Sequence, residues 1–273
     1  MSAAAAPART ADQLLFCNQP ERLNPGGAYT DSRLEAGRTY RIFFHYRNNA
    51  STAGPLVVAL QGTAASPLRL EVQKGIADPH RDPAHVGRQA MARFMQAPNR
   101  KYAGTSAVRF PLTLKPRLVA SGVLTVRTLA QDTRLRIYFR NNERTVPGAR
   151  VVVVDAPRRE YTVTLRPGAQ QQYFWIGKQE AGMSQQLDDT YGMVYSFKVD
   201  APMGSRVRVA FSPRGGQAGL AGTFGGIMRQ SPIVGATAWA LFTEAVVGKS
   251  GLVLTTLPFG GVFYAVELAL QRK

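Results

Sequence analysis

Arg134-Leu135-Arg136-Ile137-Tyr138-Phe139-Arg140 alternates apolar and polar residues without interruption. With a side-chain period of two, Leu135, Ile137 and Phe139 share one face of a strand, and Arg134, Arg136, Tyr138 and Arg140 share the other. Asn141-Asn142 follow, residues that tolerate the left-handed backbone of tight turns. The same grammar runs through the chain. Tyr40 to Arg47 reads as a strand. Pro55 to Gln61 is a nearly continuous apolar one, and Leu68-Arg69-Leu70-Glu71-Val72-Gln73 alternates cleanly. Further strands are expected over 107–115, 120–129, 150–154, 159–166, 171–177, 191–199, 205–212, 233–242, 252–257 and 261–270, with Gly, Pro and Asn between them. Many short strands punctuated by turns predict a mainly β chain of two packed antiparallel β-sandwich domains.

One short helix interrupts this pattern. Asp82 suits an N-cap, Pro83 suits the first helical position, and Gly87, Ala90, Met91, Phe94 and Met95 recur at helical spacing, which predicts a helix over 83–96. It is expected to lie as a lid on a sheet edge or end. The run Arg41-Ile42-Phe43-Phe44 to Asn48-Asn49, then Pro55, resembles Arg136-Ile137-Tyr138-Phe139 to Asn141-Asn142, then Pro147. Read as a duplication, this divides the chain into a leader (1–13), a first sandwich (14–131) and a second (132–273). The Ala-rich opening Met1 to Thr10 lacks the apolar core of a signal peptide.

Composition narrows the function. The chain of 273 residues carries Lys+Arg 34 against Asp+Glu 17, a net charge of +17. Arginine dominates, and its planar fork suits phosphate and carboxylate. Such a surface attracts wall polymers, acidic polysaccharide, nucleic acid and anionic lipid heads. No apolar run approaches the roughly 18 residues of a membrane span. A single cysteine, Cys17, excludes an intramolecular disulfide framework and reads as a small buried hydrophobe.

Catalytic signatures are missing from the sequence: it has no Gly-x-Ser-x-Gly elbow, His-Glu-x-x-His, phosphate-binding loop or dinucleotide fingerprint. No cofactor is therefore expected, and the chain reads as non-enzymatic. His45 falls on a strand beside Arg41, Phe43 and Arg47 and reads as a rim residue. His80, Asp82 and His85 are the weak candidates for a metal, although Asp82 already serves as a cap. Ser212-Pro213-Arg214-Gly215-Gly216 combines an arginine with glycine-turn amides suited to an anion, or is simply a turn. Asp188-Asp189 reads as a turn before a strand. The arginine stripes are the most coherent feature. Arg134, Arg136 and Arg140 form one, and Arg206 and Arg208 begin another that Arg214 extends. They read either as faces that track a polyanion or as the solvated side of half-buried sheets. Trp175 and Tyr173 are a sugar platform or core. Aromatic residues are too few among the stripes to favour base stacking.

The segments Leu14-Leu15-Phe16, Asn18-Gln19-Pro20-Glu21-Arg22, Gly37-Arg38 and Arg41 to Asn48 resemble the opening of a family of uncharacterised exported bacterial β proteins. Some members of that family carry copper amine oxidase N-terminal-like stalk domains. Lys74-Gly75-Ile76-Ala77 with Pro79, Asp82-Pro83, Gly87, Ala90 and Arg93-Phe94 is similar to its central helix, and Ser121-Gly122-Val123 to the strand that follows. Tyr191-Gly192-Met193-Val194-Tyr195, Pro213-Arg214-Gly215-Gly216 and Leu257-Pro258-Phe259-Gly260-Gly261 with Tyr264 are similar to its second half. The resemblance implies export, a place at the cell surface or wall and no catalysis. It carries over no copper ligands, and the stalk itself is not recognisable here. The expectation is an extracellular or surface protein that binds anionic wall polymer or polysaccharide through arginine-rich sheet faces. The alternatives are a homo-oligomeric subunit that assembles through its sheet edges into a layer, filament or capsid, a nucleic-acid-binding protein, and a metal-dependent hydrolase.

Overall fold

A computed structural model describes residues 11–19, 21–63, 67–168, 171–177 and 191–273; most of the expected leader, and Asp188-Asp189, lie outside them. In the first half the chain forms β1 (Gln13–Gln19), β2 (Arg22–Leu23), β3 (Gly27–Leu34), β4 (Thr39–Asn48), β5 (Gly54–Gly62), β6 (Arg69–Ile76), α1 (Pro83–Gln96), β7 (Arg100–Ala103), β8 (Ala107–Leu114), β9 (Val119–Thr128), β10 (Thr133–Phe139) and β11 (Arg150–Asp155). Sheet I has the order β11-β1-β4-β9-β6-β7 with β2 alongside β4, and it faces sheet II, β3-β10-β5-β8. The second half forms β12 (Arg158–Thr164), β13 (Gln172–Ile176), β14 (Val194–Asp200), β15 (Arg206–Pro213), β16 (Ala221–Phe224), β17 (Ile227–Gln230), β18 (Ala240–Val246), β19 (Leu252–Thr256) and β20 (Val266–Arg272). Sheet III, β12-β14-β19-β16-β17, faces sheet IV, β13-β20-β15-β18. The mainly β, sandwich-like architecture agrees with the alternation. Pairing is mostly antiparallel, but β1 and β2 run parallel to β4, and β12 runs parallel to β14.

The division of the chain differs from the duplication reading. Strand β10 lies between β3 and β5, and β11 pairs with β1. Both therefore belong to the first sandwich, and the chain crosses to the second at Ala156-Pro157 instead of at 131–132. The two similar segments are β4 and β10, strands of opposite sheets in one sandwich. Local resemblance between hairpins cannot reveal this, because pairing is decided by distant residues.

Strand β4 shows how the core is arranged. Tyr40, Ile42, Phe44 and Tyr46 point into the first sandwich with Leu56, Leu124 and Ile137. Its other face is buried too. Phe43 joins Phe16, Val123 and the helical residues Ala84, Met91, Phe94 and Met95 in a core continuous with that of the second sandwich. The Phe16 and Phe43 rings stack 5.3 Å apart, and Tyr191 stacks on Phe43 at 5.5 Å. Tyr264 meets Tyr191 edge-on.

Helix α1 spans Pro83–Gln96 as the sequence predicts, but it lies between the two sandwiches instead of on a sheet edge. The Asp82 carboxylate accepts from the Ala84 and His85 amides at 2.9 and 3.3 Å. At the other end the buried Gln73 amide donates to the Phe94 and Ala97 carbonyls. Close approach is enforced by glycine on both sides. A Cβ on Gly75 would stand 2.1 Å from the Phe94 amide, and one on Gly87 would stand 1.8 Å from the Gly260 carbonyl oxygen.

Gly87→Ala therefore overpacks a backbone contact that cannot yield by rotating a side chain. We expect a loss of about 1–3 kcal/mol, read as a lower midpoint in urea with an unchanged slope. A neutral result would mean that the 257–264 loop moves freely away from the helix.

Candidate functional site

The two arginine stripes lie on different sheets of different sandwiches. On sheet II, Arg134 donates to both oxygens of Asp31 at 2.6 and 2.5 Å, and Arg136 reaches Asp31 at 3.3 Å and Glu143. Arg33 pairs with Asp132, and Arg140 donates to the Thr52 carbonyl and hydroxyl. The hydrogen bond from Arg134 holds the Asp31 carboxyl below the usual carboxylate range, against the opposing effect of partial burial. This face is basic in composition, yet three of its arginines, Arg33, Arg134 and Arg136, are committed to carboxylates of the same face.

Sheet IV is built differently. Its outward row on β15 is Arg206, Arg208 and Ala210, and Ala210 stands opposite Ala269 of β20. The Arg208 guanidinium is 3.9 Å from Glu244, which Lys273 also approaches at 3.3 Å. Arg208 Nε has no hydrogen-bond partner among the described residues. Arg214 donates to Glu267 and lies over the Trp239 ring, 5.7 Å from its centroid. Four cationic groups, Arg206, Arg208, Arg214 and Lys273, thus stand against the two carboxylates Glu244 and Glu267.

A depression of about 270 Å³ opens on this sheet, lined by Gln171, Tyr173, Arg208, Ala210, Trp239, Ala269 and Gln271. Tyr173 comes from edge strand β13, opposite Ala269. Trp239 comes from the segment leading into β18. Their rings meet edge to face at 6.0 Å. Both stay exposed, Tyr173 at 54% and Trp239 at 46%, and Trp175, two residues along β13, stays exposed at 38%. The sequence pointed to Tyr173 and Trp175 as a pair; Trp239 fell within a strand expected over 233–242, but the strand begins only at Ala240, so Trp239 sits in the irregular segment before it. Nothing in the sequence signalled that two alanines clear the floor.

The other candidates resolve into structural roles. The His80 and His85 rings lie 4.8 Å apart, but His80 Nδ1 accepts from the Asp82 amide, and one Asp82 oxygen is spent on the helix cap. Among the described residues no three His, Cys, Asp or Glu side chains group as a metal site would require. In the 212–216 turn the Arg214 amide donates to the Ala265 carbonyl, which closes it against β20. Cys17 is fully buried and its thiol is pushed up to about 12 by that burial, which makes it inert.

His45 is not a rim residue. It is 3% exposed, beneath Gly260, where a Cβ would stand 2.4 Å from Nδ1. Neither ring nitrogen has a hydrogen-bond partner among the described residues, and Nε2 lies 3.7 Å from Glu21. Burial lowers its pKa to about 4. Arg41, two residues earlier, is also buried, 5.6 Å from the Phe94 centroid. Burial, and Arg158 nearby, lower its pKa to about 9. Both residues lie on the face of β4 that the second sandwich and α1 cover. The alternation of β4 placed them on that face correctly and could not say that a second layer covers it.

No family model matches the chain, and no curated protein matches it.

The neutral His45 gives a signed prediction. Between the ordinary histidine value of about 6.5 and about 4, the unfolded chain binds a proton there that the folded chain does not. Stability therefore rises with pH across that window and falls as pH drops through it. Relative to the native chain, His45→Gln should lose that part of the slope, worth up to about 3 kcal/mol. Urea melts at pH 7, 5.5 and 4.5 check it, and parallel curves for the two proteins would refute it.

Proposed function

We propose that the chain is a non-enzymatic binding protein of the cell exterior that holds an anionic polymer, either wall polymer or polysaccharide, on the arginine face of sheet IV. The observation that carries this reading is the open depression on sheet IV, where Arg208 stands beside the exposed rings of Tyr173 and Trp239. On sheet II most of the matching arginines are neutralised within the fold. The resemblance to exported β proteins supports the location. The burial of His45, the Asp82 helix cap and the hydrogen bond accepted by His80 Nδ1 support the non-enzymatic reading.

Ion pairing of this kind is multivalent and salt-sensitive. Arg206→Glu with Arg208→Glu should weaken binding to a soluble polyanion about tenfold or more at low salt and flatten the dependence of affinity on salt. Arg134→Gln with Arg136→Gln should leave binding within about twofold and cost about 1 kcal/mol of stability, as expected when exposed ion pairs are lost. Affinity electrophoresis across a salt series, with a urea melt of each variant, separates the two sheets. Equal losses from both pairs would reduce the charge to a diffuse property of the whole surface.

A second reading, assembly through sheet edges, is favoured by β11. This edge strand carries Val151 to Val154 without proline or internal charge, and Val153 is 38% exposed. Two other edges are guarded: β8 by Arg109 and Pro111, and β7 by Arg100 and Lys101. If β11 joins copies, sedimentation velocity shows concentration-dependent oligomers that Val153→Lys abolishes. A monomer at all concentrations removes this reading.

A further inference from the structure

The depression on sheet IV has more in it than charge. Its walls, Tyr173 and Trp239, are aromatic rings left about half exposed, and Trp175 extends the row along β13. Residues two apart on a strand share a face and stand about 6.5–7 Å apart, so Tyr173 and Trp175 offer successive ring surfaces along one edge. The floor is Ala210 opposite Ala269, the smallest side chains that still cover the backbone. Larger residues there would fill the space between the rings. The remaining lining is Gln171 and Gln271, which both donate and accept, and Arg208.

We infer that this groove takes an acidic polysaccharide, a chain of pyranose rings bearing carboxylates; the inference rests on the polyanion-binding reading above. The C–H face of a pyranose is weakly positive and stacks on the negative face of an aromatic ring. Sugar hydroxyls, each a donor and an acceptor, match the two glutamine amides. The carboxylate matches the Arg208 guanidinium, which lines the depression and can meet a carboxylate with its planar fork. Arg214 is a positioning residue. Its charge is met by Glu267, and its guanidinium packs over Trp239. A polyphosphate has no apolar face to set on these rings. A nucleic acid carries a phosphate at every unit, and four cations offset by two carboxylates make a thin charge for it. The groove thus asks for rings and acid together, which is the chemistry of a polyuronate.

The test uses the full chain and four probes: a galacturonate oligomer, its methyl ester, inorganic polyphosphate and an oligothymidylate. Tyr173→Ala and Trp239→Ala should each weaken the galacturonate oligomer about tenfold and leave polyphosphate binding unchanged, and Trp239→Phe should retain binding. Because Tyr173 and Trp239 are about half exposed, these variants are expected to fold, and a urea melt verifies it. Methyl esterification, which keeps the rings and removes the charge, should cost a similar factor. Native-like binding by both alanine variants, or equal affinity for the methyl ester, overturns the inference while leaving polyanion binding in place. Oligothymidylate binding that is tighter than that of the uronide and lost with Trp239 overturns it in favour of nucleic acid. If the native chain binds none of the charged probes, the polyanion reading itself fails.

Discussion

Sheet I is covered on both faces, and the rest of the structure depends on that. A sheet in a simple sandwich buries one face and wets the other, so polar residues can occupy every second position. Here the outer face of β1, β4 and β9 meets helix α1 and the second sandwich, and Phe16, Phe43 and Val123 join a core that runs through to Phe197, Phe211 and Leu268. The two sandwiches are consequently one packed body. The aromatic stack of Phe16, Phe43 and Tyr191 crosses the junction. The glycines of α1 and of the 257–264 loop let backbone touch backbone where side chains would hold the layers apart.

This double burial also explains two costly residues. Arg41 and His45 occupy β4 positions that would face water in a lone sandwich. Packing the second sandwich over them desolvates both, which opposes their charged forms. The aliphatic and ring portions of such side chains still contribute apolar area, and Arg41 gains a cation–π contact with Phe94. The arrangement is tolerable because histidine can shed its charge at ordinary pH, while arginine is held next to an aromatic face.

Much of the architecture was legible in the residues. Strict alternation in β10 and β6, and the Asp82-Pro83 start of α1, are local signals, set by side-chain period and by the orphan amides of a helix end. The domain boundary was not legible, because strand order is a matter of long-range pairing. β10 resembles β4 in sequence, yet it pairs with β3 and β5. The candidate site was half legible. The arginines of β15 and the β13 pair Tyr173 and Trp175 follow from alternation. Trp239 was expected within a strand over 233–242, but it precedes β18 in an irregular segment tied to β15 by the hydrogen bond from the Thr237 amide to the Pro213 carbonyl.

Sheets II and IV carry similar stripes of arginine, and what separates them is the partner strand. On sheet II, β3 places Asp31 opposite Arg136 in the register, and Arg33 finds Asp132 at the end of the same face. Charge there is neutralised at its source and contributes to folding. On sheet IV, β20 supplies Ala269 and Gln271 opposite Ala210 and Arg208, residues that neither neutralise the arginine nor cover the rings. Glu244 does lie opposite Arg208 on β18, but at 3.9 Å and with Lys273 competing for it. An arginine count alone therefore says little about where a polyanion would dock. The informative quantity is which arginines stand beside an open depression, and on sheet IV that is Arg208, next to Tyr173 and Trp239.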